Sequence, residues 1–152
     1  MFKVIEYTDI YKEKVVDLLS NIILKEFEIP EDIEFIKNYD YNFYKNSGGN
    51  FWIAVNEENE VIATTAIRKC SNEKEVELVR VYLNKEYRGT GIASQMLDVA
   101  ISFAKDRKFE KIILGTYKKF ERAIAFYEKH GFKEYNNEFA KNKNARYFAL
   151  NI

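Results

Sequence analysis

Arg88-Gly89-Thr90-Gly91-Ile92-Ala93 is the stretch whose residue types are best suited to chemistry. It follows a strand-like run from Glu77 to Leu83 and opens directly into a helical pattern. Small residues at such a junction let the backbone turn tightly and present successive N–H groups at a helix N-terminus, which favours a phosphate. Arg88 adds a fixed positive charge beside them. The turn is not a P-loop, because no Gly-Lys-Ser/Thr follows. Nor is it the dinucleotide fingerprint, since a third glycine is missing and three strands come first. A single Cys (Cys70) and a single His (His130) exclude a disulfide framework and a Cys/His zinc site, so no metal is expected. Cys70 has no His or Asp pattern to activate it, and His130 reads as a structural residue where a helix ends.

The elements that must position this turn can be read from periodicity. The 152 residues are 47% hydrophobic and 16% aromatic, which argues for one packed domain, residues 1–152, and against disorder. Phe2 to Glu6 alternates as a short strand. Asp9 is placed to cap a helix carrying Tyr11, Val15, Leu18, Leu19, Ile22 and Ile23 at helical spacing. After Pro30, Ile33, Phe35, Ile36 and Tyr39 suggest a second short helix. Phe51–Asn56, Val61–Lys69 and Glu75–Leu83 read as three strands. Thr90 to about Arg107 is helical, and Lys111–Thr116 is a strand whose position after that helix implies local parallel pairing. A further helix runs from about Phe120 to His130, with Gly131 as its C′ residue. Lys133–Tyr135 and Arg146–Leu150 complete a hairpin. The order β-α-α-β-β-β-α-β-α-β-β gives an α/β fold with a mixed, mostly antiparallel central sheet flanked by helices.

With both pieces in view, Arg88-Gly89-Thr90-Gly91-Ile92-Ala93 and Arg122-Ala-Ile-Ala-Phe-Tyr-Glu-Lys-His-Gly-Phe132, the chain resembles the GCN5-related N-acetyltransferase (GNAT) family over nearly its whole length. The resemblance implies that residues 88–93 (Arg88, Gly89, Thr90, Gly91, Ile92, Ala93) bind the pyrophosphate of acetyl-CoA. It implies that Val81, Tyr82 and Leu83 hold the pantetheine arm like an added strand, beside a cleft where this strand splays from the next. Ala123 and Tyr127 of the late helix would lie along the cofactor, with Tyr127 near the sulfur and able to protonate the leaving thiolate, since a phenol is neutral at pH 7. Glu77, eleven residues before Arg88, stands where several members keep a general base. On an alternating strand it would share a face with Val79, Val81 and Leu83. Phe120 occupies a position where members often have an Asn contacting the cofactor arm, so that contact must shift to Tyr117 or the backbone. Tyr127 also reads as a core tyrosine on the face of Phe120, Ala123 and Ile124, and Glu77 as the partner of a neighbouring strand's Lys or Arg.

The charge balance bears on the acceptor. Residues 1–66 hold six basic and thirteen acidic side chains, and the remainder eighteen and eleven. The acidic half concentrates Glu26, Glu28, Glu31, Asp32 and Glu34 among Phe27, Tyr39, Tyr41, Phe43 and Tyr44, a combination suited to an ammonium or an apolar stem. A small-molecule amine, polyamine-like compound or lysine-like peptide side chain is the expected acceptor, attacking directly. A catalytically silent acyl-CoA sensor or interaction module is the competing function. No basic stripe with interleaved aromatics suggests nucleic acid, and no apolar run or leader suggests a membrane. A cytoplasmic location is expected, and exposed strand edges admit a homodimer.

Overall fold

Alternating stretches become strands with one covered face, and continuous apolar runs become strands covered on both. In the computed structural model, which describes residues 1–152, these are β1 (Phe2–Glu6), β2 (Asn50–Asn56), β3 (Val61–Lys69), β4 (Glu75–Leu83), β5 (Lys111–Tyr117), β6 (Lys133–Tyr135) and β7 (Ala145–Asn151). They form one seven-stranded sheet in the order β1-β2-β3-β4-β5-β7-β6. Every pairing is antiparallel except β4–β5. That pair is parallel because a helix crosses between its strands. The closing hairpin inserts its second strand, β7, beside β5 and leaves β6 at the edge.

Five helices cover the sheet: α1 (Lys12–Ser20), α2 (Ile33–Asn38), α3 (Phe43–Asn46), α4 (Ile92–Asp106) and α5 (Glu121–Lys129). α1 does not end at Ser20 but continues as a π-helical stretch, Asn21–Glu26. The expected cap at Asp9 is not made. Asp9 sits in a single 3-10 turn, Asp9–Tyr11, and its carboxylate accepts from the Tyr7 hydroxyl (3.1 Å) and the Asn42 side-chain amide (2.9 Å). These tertiary partners tie the start of α1 to the α2–α3 connection. Gly131 does end α5, with φ +92, and Phe132 N–H closes onto the Tyr127 carbonyl at 3.0 Å.

A core lies on each face of the sheet. Under α4 and α5 pack Ile67, Val76, Leu78, Met96, Leu97, Ile112, Leu114, Ile124, Tyr127 and Phe148. Ala100 and Ala104 are fully buried and let α4 lie close on the strands. Under α1–α3 pack Val15, Leu19, Ile23, Ile36, Tyr41, Tyr44, Phe51, Ile53 and Ala66. Each such Leu or Ile contributes about 1.5–3 kcal/mol of burial.

One irregularity decides which residues face which core. The β3–β4 register slips between Thr64↔Tyr82 and Ala66↔Val79, and Arg80 takes up the extra residue in the left-handed region at φ +55. Thr64 Oγ1 donates to the Arg80 carbonyl at 2.7 Å and holds the bulge. Alternation therefore reverses within β4. Val79 and Tyr82 pack on the α1–α3 side, whereas Val81 and Leu83 pack on the α4–α5 side with Val76 and Leu78. The expectation that Glu77 shares a face with Val79, Val81 and Leu83 is thus corrected: it shares one with Val79 only, because a bulge adds a residue without adding a pleat.

Candidate active site

β4 and β5 pair over only three positions, Glu75↔Lys111, Val76↔Ile112 and Glu77↔Ile113. Beyond Glu77 each strand stays with its outer neighbour, β4 with β3 as far as Leu83↔Ala63 and β5 with β7 as far as Tyr117↔Ala145. Their inner edges separate into a V-shaped cleft. Backbone groups on such an edge have no ladder partner and can accept an extended ligand as an extra strand. Val81, Tyr82 and Leu83 occupy this edge.

β4 leads to the glycine turn through a 3-10 turn, Lys85–Tyr87, capped by the Asn84 side chain, which accepts from Glu86 N–H at 3.0 Å. Gly89 (φ +78) and Gly91 (φ +86) are both left-handed, and a Cβ at either would meet nothing within 4 Å. The glycines are therefore needed for conformation, and the space before them is open. Thr90 Oγ1 donates to the Tyr87 carbonyl and locks the turn. Gln95 N–H bonds back to the Gly91 carbonyl at 3.1 Å, leaving the amides of the first turn of α4, at Ile92 and Ala93, directed at that open space. His130 braces this end of α4 from below: one ring nitrogen lies 2.9 Å from the Phe126 carbonyl and the other 3.2 Å from Ser94 Oγ. These features fit a diphosphate. Arg88, however, is held elsewhere: its Nη2 donates to Glu26 Oε1 at 2.5 Å, bridging the glycine turn to the end of the π-helical stretch. The other oxygen, Glu26 Oε2, is buried without a partner.

α5 supplies the opposite bank. Ala123 and Tyr127 face the α4–α5 core, and the Tyr127 ring packs against Phe126 and Phe132. Burial pushes the Tyr127 phenol well above its ordinary range, with a smaller contribution from Tyr82. The group is therefore protonated at any working pH, with its hydroxyl proton available to a hydrogen-bond acceptor. Phe120, just before α5, packs at a tilt against Phe27, which follows the π-helical stretch (4.6 Å between centroids), and meets Tyr117 edge-on at 5.4 Å. In place of an amide contact, this position makes an aromatic clasp between the two banks. Glu77 faces the α1–α3 side and pairs with Arg68 of β3, the residue directly opposite.

The acidic segment is largely engaged. Glu26 holds Arg88, Asp32 caps α2 by accepting from Glu34 N–H (2.9 Å), and Glu34 pairs with Lys37. What sequence reasoning missed is on the cleft wall itself. Arg80 donates from Nε to the Tyr44 hydroxyl (3.0 Å) and lies over the Tyr39 ring at 4.7 Å, with Tyr82 beside it. An arginine inside the apolar run Leu78-Val-Arg-Val81 was the available signal. An open depression between α4 and the β1–β2 edge, lined by Glu6, Trp52, Asp98 and Arg107, lies away from the splay. No group of three or more His, Cys, Asp or Glu is arranged to hold a metal, and no helix is long and apolar enough to cross a membrane.

Comparison with known proteins gives a consistent assignment. The sequence model of the acetyltransferase (GNAT) family matches residues 15–132. N-acetylaspartate synthetase of Xenopus tropicalis is 34% identical over 114 residues, covering 74% of this chain and 41% of that protein. Human N-acetyltransferase 8 is 29% identical, covering 64% and 44%. The chain thus spans less than half the length of these curated relatives. Among solved structures, a GNAT-family acetyltransferase from Staphylococcus aureus Mu50 superposes with a TM-score of 0.87 at 31% identity over 99% of both chains. PaiA N-acetyltransferase from Thermoplasma acidophilum, solved with coenzyme A, shares the fold (TM-score 0.81, 17% identity, 100% and 99% covered).

Proposed function

The chain belongs to the acetyltransferase (GNAT) family, and from that premise we propose that it moves an acetyl group from acetyl-CoA to the primary amine of a small molecule or peptide, by direct attack in a ternary complex. One observation carries this reading: the free inner edge of β4 runs straight into a glycine turn whose amides open α4. The first suits the pantetheine arm and the second the pyrophosphate.

Glu77 takes a proton from the substrate ammonium, through water. The freed nitrogen attacks the thioester carbonyl carbon, a C–N bond forms, the C–S bond breaks, and the second proton on nitrogen leaves to solvent as the amide forms. Tyr127 donates a hydrogen bond to the departing sulfur, which takes its proton from solvent to give the free thiol. Arg68 keeps the Glu77 carboxylate oriented. The buried phenol is a weak acid, so its contribution is a hydrogen bond that strengthens as negative charge develops on sulfur. Arg88 joins the phosphates only by leaving Glu26.

Thermal-shift titration with acetyl-CoA, CoA and ATP in parallel tests the donor. At about 100-fold saturation a native-state ligand adds ~2.7 kcal/mol. Stabilisation by both CoA species but not ATP is expected; none with either would end the reading. Release of free thiol with an amine present separates the enzyme from a silent acyl-CoA sensor.

A further inference from the structure

The acceptor-facing wall of the cleft holds a cation that acetyl transfer itself does not use. We infer that Arg80 anchors a carboxylate of the acceptor, so that the amine acetylated belongs to an amino carboxylate such as an α-amino acid. The inference rests on the acetyl-transfer reading above and names the substrate class of the same site.

Arg68, Arg88 and Arg146 each pair with a carboxylate, Glu77, Glu26 and Glu134. Arg80 takes part in none of the ion pairs of the structure, although it is half-buried. Its companions are phenols. Tyr44 accepts from Nε at 3.0 Å, and the rings of Tyr39 and Tyr41 lie 4.7 and 5.9 Å from the guanidinium carbon. Burial pushes the Tyr41 and Tyr44 phenols up to about 12, so they are neutral and supply no counter-charge. A desolvated cation without an anion is costly, and cation–π contact offsets only part of that cost. With Nε and the ring plane fixed by tyrosines, the guanidinium is oriented rather than free to swing. That arrangement suits forked recognition of a carboxylate.

The backbone points the same way. At φ +55 a glycine or asparagine would form the bulge with less strain, so the bulge alone gives no reason for an arginine. Tyr82 then links the two halves of the site, lying beside Arg80 on one side and near Tyr127 on the other. A carboxylate on Arg80 therefore sits within a small molecule's reach of the thioester. This differs from the cationic acceptor expected from the acidic segment, where Glu26, Asp32 and Glu34 are engaged in pairing and capping and Glu31 stands near Tyr82 without an ion-pair partner.

Initial rates of thiol release from acetyl-CoA test the inference with matched acceptors: phenylalanine against phenethylamine, alanine against ethylamine, lysine against cadaverine. In the best-used pair, the carboxylate-bearing member should be preferred by about tenfold or more in kcat/KM. Arg80→Asn, which suits the left-handed backbone, should abolish that preference through KM while leaving acetyl-CoA affinity unchanged. Arg80→Lys, which keeps the charge and loses the fork, should restore part of it. Equal or better use of the decarboxylated amines by the unaltered protein overturns the inference, as does an Arg80→Asn effect that is the same on both members of a pair. Silence across the panel while acetyl-CoA still raises Tm overturns the acceptor class and leaves the donor intact. Failure of acetyl-CoA to raise Tm overturns both.

Discussion

Gly91→Asp should lower coenzyme A affinity strongly while barely changing the stability of the fold. Gly91 caps α4 at φ +86 and ψ −1, and a Cβ there meets nothing within 4 Å. The steric cost is therefore nil, and the left-handed backbone costs an L-residue about 1 kcal/mol. A carboxylate at a helix N-terminus returns about 0.3–1 kcal/mol through the helix dipole. The net change is a few tenths to ~1 kcal/mol, or a Tm shift of about 2–4 °C or less. The same carboxylate would stand ~5 Å from a diphosphate held by the turn; at an effective dielectric of about 20 each unit of phosphate charge then repels it by roughly 3 kcal/mol before screening. Halving that for salt leaves about ten- to hundredfold in Kd. Isothermal titration with coenzyme A at low and high salt reads this directly, with Gly91→Ala as control. Ala imposes the same backbone strain without the charge and should stay within about threefold of the parent protein. The salt arm matters because repulsion shrinks as the Debye length falls from ~10 Å to ~3 Å. Undiminished affinity in Gly91→Asp would place the phosphates elsewhere. Equal weakening by Ala and Asp would mean that the turn's shape, not charge, was disturbed.

Tyr127→Phe removes only a hydroxyl from a packed ring, so Tm and coenzyme A affinity should hold while kcat falls about 10²-fold; unchanged turnover would take Tyr127 out of the donor role. Glu26→Gln releases Arg88 from the π-helical end and should tighten coenzyme A binding by about three- to tenfold; no change in Kd would show that Arg88 stays away from the phosphates. The buried phenols of Tyr41, Tyr44 and Tyr127 have raised pKa values, so their contribution is complete below the unfolded value near 10 and is lost as pH climbs toward the folded values. Unfolding free energy should fall by up to about 1.4 kcal/mol per pH unit per phenol above pH ~10. Melting curves between pH 9 and 11.5, read with tyrosinate absorbance, check this, and full ionisation of the tyrosines in a still-folded chain would contradict it.

How far the sequence could be read depended on the reach of the forces involved. Strands such as Phe2–Glu6, Val61–Lys69 and Glu75–Leu83 were legible to the residue, because alternation marks a strand with one covered face and a continuous apolar run a strand with two. The glycine turn was legible for a local reason: two glycines before a helix admit few other uses. The π-helical stretch was not, since Leu18, Leu19, Ile22 and Ile23 satisfy an α-helical stripe equally well. Nor was Phe43–Asn46, a single turn too short to show a period. Partners distant in sequence were the least accessible. Arg88 and Glu26 lie 62 residues apart, and nothing local in either says that they meet.

The bulge at Arg80 is the case where local and distant information combine. In an unbroken strand Leu78, Arg80 and Tyr82 would share a face, and the guanidinium would enter the apolar core beneath α4 and α5, where no anion could follow it. The apolar positions already carry the alternative: Val76 and Leu78 occupy even positions, Val81 and Leu83 odd ones, and both pairs pack on that core. Only an extra residue between 78 and 81 lets both pairs face the same way. That residue turns Arg80 and Tyr82 to the acceptor side and separates Glu77 from the strand's end. A phase break in the apolar spacing, with a charged residue at the break, is therefore the sequence signature of the acceptor wall. The bulge and the cation can nevertheless be separated: Arg80→Asn keeps the bulge and removes the charge, whereas deleting Arg80 removes both and leaves Val81 and Leu83 in strict alternation with Val76 and Leu78, on the same face. Both changes should cost the acceptor and spare the apolar face beneath α4 and α5, and loss of folding on deletion of Arg80 would refute this account of the register.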